Sequence, residues 1–82
     1  MNRESIFTKV KIEVEALAAE QAVDPDALIF ESGILDSLNV LNIIIFIESA
    51  FNIKINPFDV NLNILGSINR ICDYIDKKVT AS

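Results

Sequence analysis

Apolar residues recur at helical spacing in three separate stretches of this chain. Over residues 3 to about 22, Ile6, Val10, Val14 and Leu17 follow one another at steps of four, four and three, with Phe7 and Ala18 widening the stripe. Such spacing lays one apolar face along a helix. Lys9, Lys11, Glu13, Glu15 and Glu20 fall on the other side and read as ordinary solvent-facing charge. Asp24-Pro25-Asp26 then breaks the period, because proline cannot continue a helix interior and restricts the residue before it.

Residues 24–36 sustain no period. A loop of that length in a small domain is either functional or pinned by its own apolar side chains, and Leu28, Phe30, Ile34 and Leu35 are the expected anchors. The next stretch, 38–51, is rich in β-branched isoleucine and resembles a strand at first sight. Magnitudes decide for a helix. The propensity penalty is at most about 0.7 kcal/mol per residue, whereas burying Ile43, Ile47 and Phe51 on one face returns about 1.5 to 3 kcal/mol each. This helix is apolar on too many sides for one stripe, so Val40, Leu41, Ile44 and Ile45 must meet another element or reach the surface.

Asn52 to Asn56 forms a connector, and Pro57 is suited to begin a short helix. One or two irregular turns follow to Ile64. After Gly66-Ser67, the residues Ile68, Ile71, Cys72, Ile75 and Val79 predict a final amphipathic helix, with Lys77 and Lys78 complementing its C-terminal dipole. The fold class is therefore all-α, a small bundle of three main helices plus one short helix, with a long loop after the first. Residues 1–82 are read as a single domain. No repeat or low-complexity tract is present.

Composition narrows the function. At 82 residues, a folded chain buries only about 60 to 65% of the surface its unfolded form exposes, so stability is modest. A hydrophobic fraction of 51% with 2 Gly and 2 Pro points to regular structure and against disorder. The net charge of -5 repels phosphate backbones and anionic lipid, so nucleic acid is excluded as a partner and basic protein patches are favoured. The single cysteine cannot form an intrachain disulfide, and with no metal-ligand spacing the expected compartment is a reducing cytoplasm. Charges at Arg3 and Glu4 interrupt any secretory signal, and no run approaches the roughly 18 to 20 apolar residues of a membrane span. Cys72 sits on an apolar stripe with no cationic neighbour in the sequence and reads as core. Histidine is absent, which removes the commonest general base near neutral pH. The pairs Asp24/Asp26 and Asp73/Asp76 have no nucleophile beside them and read as solvated charge. No enzyme activity is expected.

The stretch Glu31-Ser32-Gly33-Ile34-Leu35-Asp36-Ser37-Leu38 holds the remaining candidate chemistry. Gly33 permits a backbone turn. Either Asp36 or Ser37 can cap the following helix, and the charge of Asp36 suits its positive end. A cap alone is one complete explanation of the pair.

Asp36-Ser37-Leu38 at the start of the second helix resembles the motif of the acyl carrier protein family, and the likeness extends from the first amphipathic helix through Asp73-Tyr74-Ile75. The resemblance implies that Ser37 receives a 4'-phosphopantetheine arm from coenzyme A, whose thiol carries acyl or aminoacyl groups as thioesters. It implies that Asp36 helps place the serine and the metal of the modifying enzyme, and that Leu38 completes the motif. A serine without a base needs an external phosphopantetheinyl transferase to deprotonate it, and the helix N-terminus puts the phosphodiester near free N–H groups. Further implied partners are a loading ligase and downstream transferases or synthases, with a monomer as the working form.

One feature departs from the family. Acidic residues usually line the exposed side of the second helix in fatty acid carriers, whereas here Asn39 and Asn42 come early and Ser49 and Ala50 follow Glu48. Partners are then expected to read Asn39, Leu41, Asn42 and Ile45 through apolar and amide groups, with weak steering on that face. The run Ser-Gly-Ile-Leu-Asp-Ser and Asn56-Pro57-Phe58-Asp59 are also similar to freestanding D-alanyl carriers. A carrier for a specialised pathway is expected. The alternatives are a general fatty acid carrier and a cofactor-free module that binds a partner helix through residues 40–47.

Overall fold

The structure is a computed structural model describing residues 2–81. Four helices follow in order: α1 (Arg3–Leu17), α2 (Leu38–Phe51), α3 (Leu62–Leu65) and α4 (Ile68–Ala81), with a 3₁₀ turn at Pro57–Asp59 before α3. The described residues contain no strand. The all-α class, the three main helices and the long first loop agree with the sequence reading. The connector is more structured than irregular turns. Asn56 Oδ1 accepts from the Phe58 N–H at 2.9 Å to cap the 3₁₀ turn, and Asn61 Oδ1 accepts from the Ile64 N–H at 3.2 Å to start α3.

The core follows the periodicity. Ile6, Val10 and Val14 of α1, Ile43, Ile47 and Phe51 of α2, and Ile68, Ile71, Cys72 and Ile75 of α4 are buried together. The most extensive helix contact is between α1 and α4. Glu48 of α2 turns back to accept the Ile55 N–H at 2.9 Å, which fixes the exit from that helix.

The first helix stops at Leu17, well before the expected Ala22. Its core stripe at 6, 10, 14 and 18 would continue onto Gln21 and Ala22, whereas it is Val23 that is buried. A reversal puts Val23 inside: Ala19 and Glu20 take left-handed backbone (φ 58° and 64°), and the Val23 N–H donates to Glu15 Oε2 at 2.8 Å. Left-handed conformation costs about 1 to 2 kcal/mol per residue, offset by burial of Val23 and these bonds. Glu15 is therefore a brace and not merely solvent-facing charge. It also pairs with Lys11, and these two partners hold its carboxyl below the usual range.

The long loop is pinned, though not by all the expected residues. Ile29 and Leu35 are fully buried, Phe30 and Ile34 half-buried, and Leu28 is exposed. Its backbone is tied across the molecule, with the Ile29 N–H donating to the Gly66 carbonyl at 2.9 Å and the Asn69 N–H donating to the Pro25 carbonyl at 3.0 Å. The second bond satisfies one of the unpaired donors in the first turn of α4. Three of the four paired carboxylates have structural roles. Asp24 Oδ1 accepts the Asp26 N–H, Asp26 accepts from Asn69 Nδ2 at 2.7 Å, and Asp73 pairs with Arg3 at 2.8 Å.

Candidate attachment site

The pinned loop delivers residues 36–38 to the N-terminus of α2. Leu35 anchors the approach by burial, and its N–H donates to the Ile29 carbonyl at 2.7 Å. Gly33 makes the turn before it, with φ at 83° in the left-handed region that favours glycine. Asp36, Ser37 and Leu38 then emerge exposed in succession.

Asp36 is the cap. Its Oδ1 accepts the N–H groups of Leu38 at 3.1 Å and Asn39 at 3.3 Å, and also the Asn39 Nδ2 at 3.3 Å. Ser37 makes no capping bond, and its backbone (φ -65°, ψ -22°) already lies in the right-handed helical region. Among the described residues its hydroxyl has no hydrogen-bond partner. The expectation that free N–H groups surround the serine is corrected, because Asp36 takes those of Leu38 and Asn39, and the Val40 N–H donates to the Ser37 carbonyl at 3.3 Å.

A short amide ladder extends from the cap. Asn42 Nδ2 donates to Asn39 Oδ1 at 3.1 Å, and Asn39 in turn donates to Asp36. The outward face of α2 beyond it is aliphatic: Leu38 is 79% exposed, Leu41 61% and Ile45 53%. Of the four residues expected on a partner face, Leu41, Asn42 and Ile45 are exposed, while Asn39 is half-buried and engaged in the ladder. The short α3 does not cover Leu41 or Ile45. On the other flank, Val40 joins Phe30, Val60, Leu62 and Leu65 around a cavity of about 170 Å³. A wider groove of about 580 Å³ runs between α1 and α2, past Leu17, Asn42, Ile45 and Phe46.

Among the described residues no other cluster offers comparable chemistry. Among the described residues no group of three or more His, Cys, Asp or Glu side chains is placed to hold a metal ion. Cys72 is buried, and burial pushes its thiol up to about 11, so it is no nucleophile at neutral pH. The exposure of Leu38 was not evident from the motif. Its signal was positional, since five residues before Ile43 the helix has turned about 140° away from the core stripe.

The family model described as a phosphopantetheine attachment site matches residues 10–75. The chain belongs to this family. It is thus a phosphopantetheine-bearing carrier and not an enzyme, and its cofactor is held covalently. Among similar carriers, an acyl carrier protein of Thermotoga maritima is 32% identical over 80 residues, covering 95% of this chain and 96% of that protein. D-alanyl carrier proteins of Lactococcus lactis, from subspecies cremoris and subspecies lactis, are 33% identical over 55 residues, covering 67% of this chain and 70% of theirs. No solved structure matches the chain. Among the described residues no helix is long and apolar enough to cross a membrane.

Proposed function

We propose that Ser37 is the residue to which 4'-phosphopantetheine is joined, and that the chain carries acyl or aminoacyl groups for the enzymes of a specialised pathway. The observation that carries this reading is the division of labour at the start of α2: Asp36 supplies the cap, and the exposed Ser37 hydroxyl is left without any intramolecular bond. A serine needed only for structure would spend its hydroxyl on the helix N–H groups.

The residues fit the group. Ser37 Oγ has open access to a phosphoryl donor, and no side chain must move to expose it. In the transfer Ser37 Oγ loses its proton to a base of the transferase, forms a new bond to the phosphorus of coenzyme A that bears the pantetheine, and the nucleotide portion departs. Asp36 Oδ1 is committed to the cap, while among the described residues no hydrogen bond engages Oδ2, which is left to help hold the transferase's metal. When bound, the arm supplies a terminal thiol on which cargo is held as a thioester.

The specialised pathway rests on the uncharged outward face of α2 and on the likeness to D-alanyl carrier proteins. The nearly end-to-end likeness to the Thermotoga acyl carrier protein supports the alternative of a general fatty acid carrier, and the mass of the thioester recovered from native cells separates the two. The attachment itself is tested by intact mass after incubation with coenzyme A and a broad-specificity phosphopantetheinyl transferase. One arm should be added to the wild type and none to Ser37→Ala. Equal addition to both proteins would place the arm elsewhere.

A further inference from the structure

The chain between α1 and α2 reaches Ser37 without a helix or strand of its own, so a few bonds to the body of the protein decide its course. The start of α4 supplies them. Ser67 Oγ accepts the Arg70 N–H at 3.1 Å and caps that helix, while the polar groups of Asn69 turn to other segments. The Asn69 N–H donates to the Pro25 carbonyl at 3.0 Å, its Nδ2 donates to Asp26 Oδ1 at 2.7 Å, and its carbonyl accepts from Arg3 Nη2 of α1 at 3.5 Å. One half-buried side chain thus sits where the loop, α1 and α4 are joined. Three residues earlier, the Gly66 carbonyl accepts the Ile29 N–H at 2.9 Å, and the Ile29 carbonyl in turn accepts the Leu35 N–H at 2.7 Å. Leu35 is the residue before the capping Asp36. A line of bonds therefore runs from the first turn of α4 to the approach to Ser37.

We infer that Asn69 is a positioning residue for the modification of Ser37, clasping the loop in the course that presents Asp36 and Ser37 to the transferase. The inference rests on the carrier reading of Ser37. Asparagine is a poorer helix former than alanine, because its side chain competes for backbone groups; at this position it contributes through Asp26 and not through α4. Ile29 and Leu35 bury the middle of the loop, and the Asn69 clasp fixes its entry. Without the clasp the loop opens locally, and the bonds that tie Ile29 to Gly66 and Leu35 to Ile29 open with it. An enzyme that takes only the clasped form then meets fewer competent molecules. Its KM for the carrier rises as the inverse of the clasped fraction, while kcat, a property of the bound complex, is unchanged.

The test uses the full chain, coenzyme A and a broad-specificity phosphopantetheinyl transferase, with kcat and KM for the carrier measured separately and amide hydrogen exchange followed in parallel. Asn69→Asp sets a second carboxylate against Asp26. It should raise KM about three- to tenfold, keep kcat within about twofold of wild type, and speed exchange at the Ile29 and Leu35 amides. Asp26→Asn/Asn69→Asp exchanges donor and acceptor across the same bond and should restore both KM and exchange. Val10→Ala weakens the core of α1 without touching the loop, and well below its melting temperature it should leave KM unchanged. Wild-type KM in Asn69→Asp, or a KM that stays raised in the exchanged pair, overturns the inference. So does an equal rise in Val10→Ala, which would make lost stability the cause. Failure of the underlying carrier reading looks different: the wild type would gain no arm at any transferase concentration, while exchange at Ile29 and Leu35 would still respond to Asn69→Asp.

Discussion

The carboxylate of Asp36 performs the capping that the adjacent Ser37 hydroxyl leaves undone, accepting the N–H groups of Leu38 and Asn39 at 3.1 and 3.3 Å. The serine is consequently structurally idle. Ser37→Ala should change folding stability by less than about 0.5 kcal/mol, since alanine adopts the same right-handed backbone and no bond is lost. Urea unfolding of the two proteins measures this, and a loss above about 1 kcal/mol would show that the hydroxyl is doing structural work after all.

Two substitutions at Asp36 separate cap from charge. Asp36→Ala removes both and should cost about 0.5 to 2 kcal/mol while slowing modification. Asp36→Asn keeps an oxygen for the cap, so stability should be retained while modification still slows. If Asp36→Asn is modified at the wild-type rate, the residue acts through helix geometry and not through its charge.

Gly66 is required for space, not for backbone freedom. A Cβ built there would lie 2.2 Å from the Leu62 carbonyl oxygen, and its φ of -76° is open to any residue. Backbone cannot yield as a side chain tip can, so Gly66→Ala should destabilise by about 1 to 3 kcal/mol. A thermal melt would reveal it, and the same change at the left-handed but uncrowded Gly33 should act through strain alone.

The fold should weaken in alkali. Burial raises the Cys72 thiol from 9.0 to about 11, and burial together with the hydrogen bond donated to Asp59 raises the Tyr74 hydroxyl from 10.0 to about 12. In both cases the unfolded chain releases its proton first. Stability is therefore intact below about pH 9 and falls as pH climbs through the two folded values. Urea midpoints followed upward from neutral pH should decline, and a flat profile would contradict the burial of both groups. A thiol reagent should label Cys72 only after denaturation.

Ile45 and Ile47 offer the same side chain in opposite surroundings, one largely exposed and the other with no accessible surface. Ile47→Ala should cost about 2 to 5 kcal/mol, enough to unfold much of a domain this small, and Ile45→Ala a few tenths. Comparable losses at both would mean that α2 is rotated about its axis.

These contrasts show where the sequence was legible. Ile43, Ile47 and Phe51, like Ile68, Ile71 and Ile75, were readable because a helix buries a fixed stripe and the stripe survives in the spacing. The end of α1 was not, because it depends on Glu15 reaching Val23 across a left-handed turn that no local preference announces. Ile29 was missed for the same reason: a loop anchor has no period, and its burial is decided by the distant Gly66 carbonyl. At the site, the motif marked Asp36 and Ser37 but left open which of them capped, since both side chains have suitable acceptors and only geometry chooses.

The two backbone bonds between the long loop and the start of α4 also order events in time. Pro25 and Ile29 find their partners in Asn69 and Gly66, roughly forty residues later in the chain. Contacts of such separation form only after the intervening segment has been made and closed upon itself. While the chain is being synthesised from its N-terminus, the loop before Ser37 stays unfastened until residues 66–69 have been made, so the approach to α2 is among the later parts of the fold to be fixed.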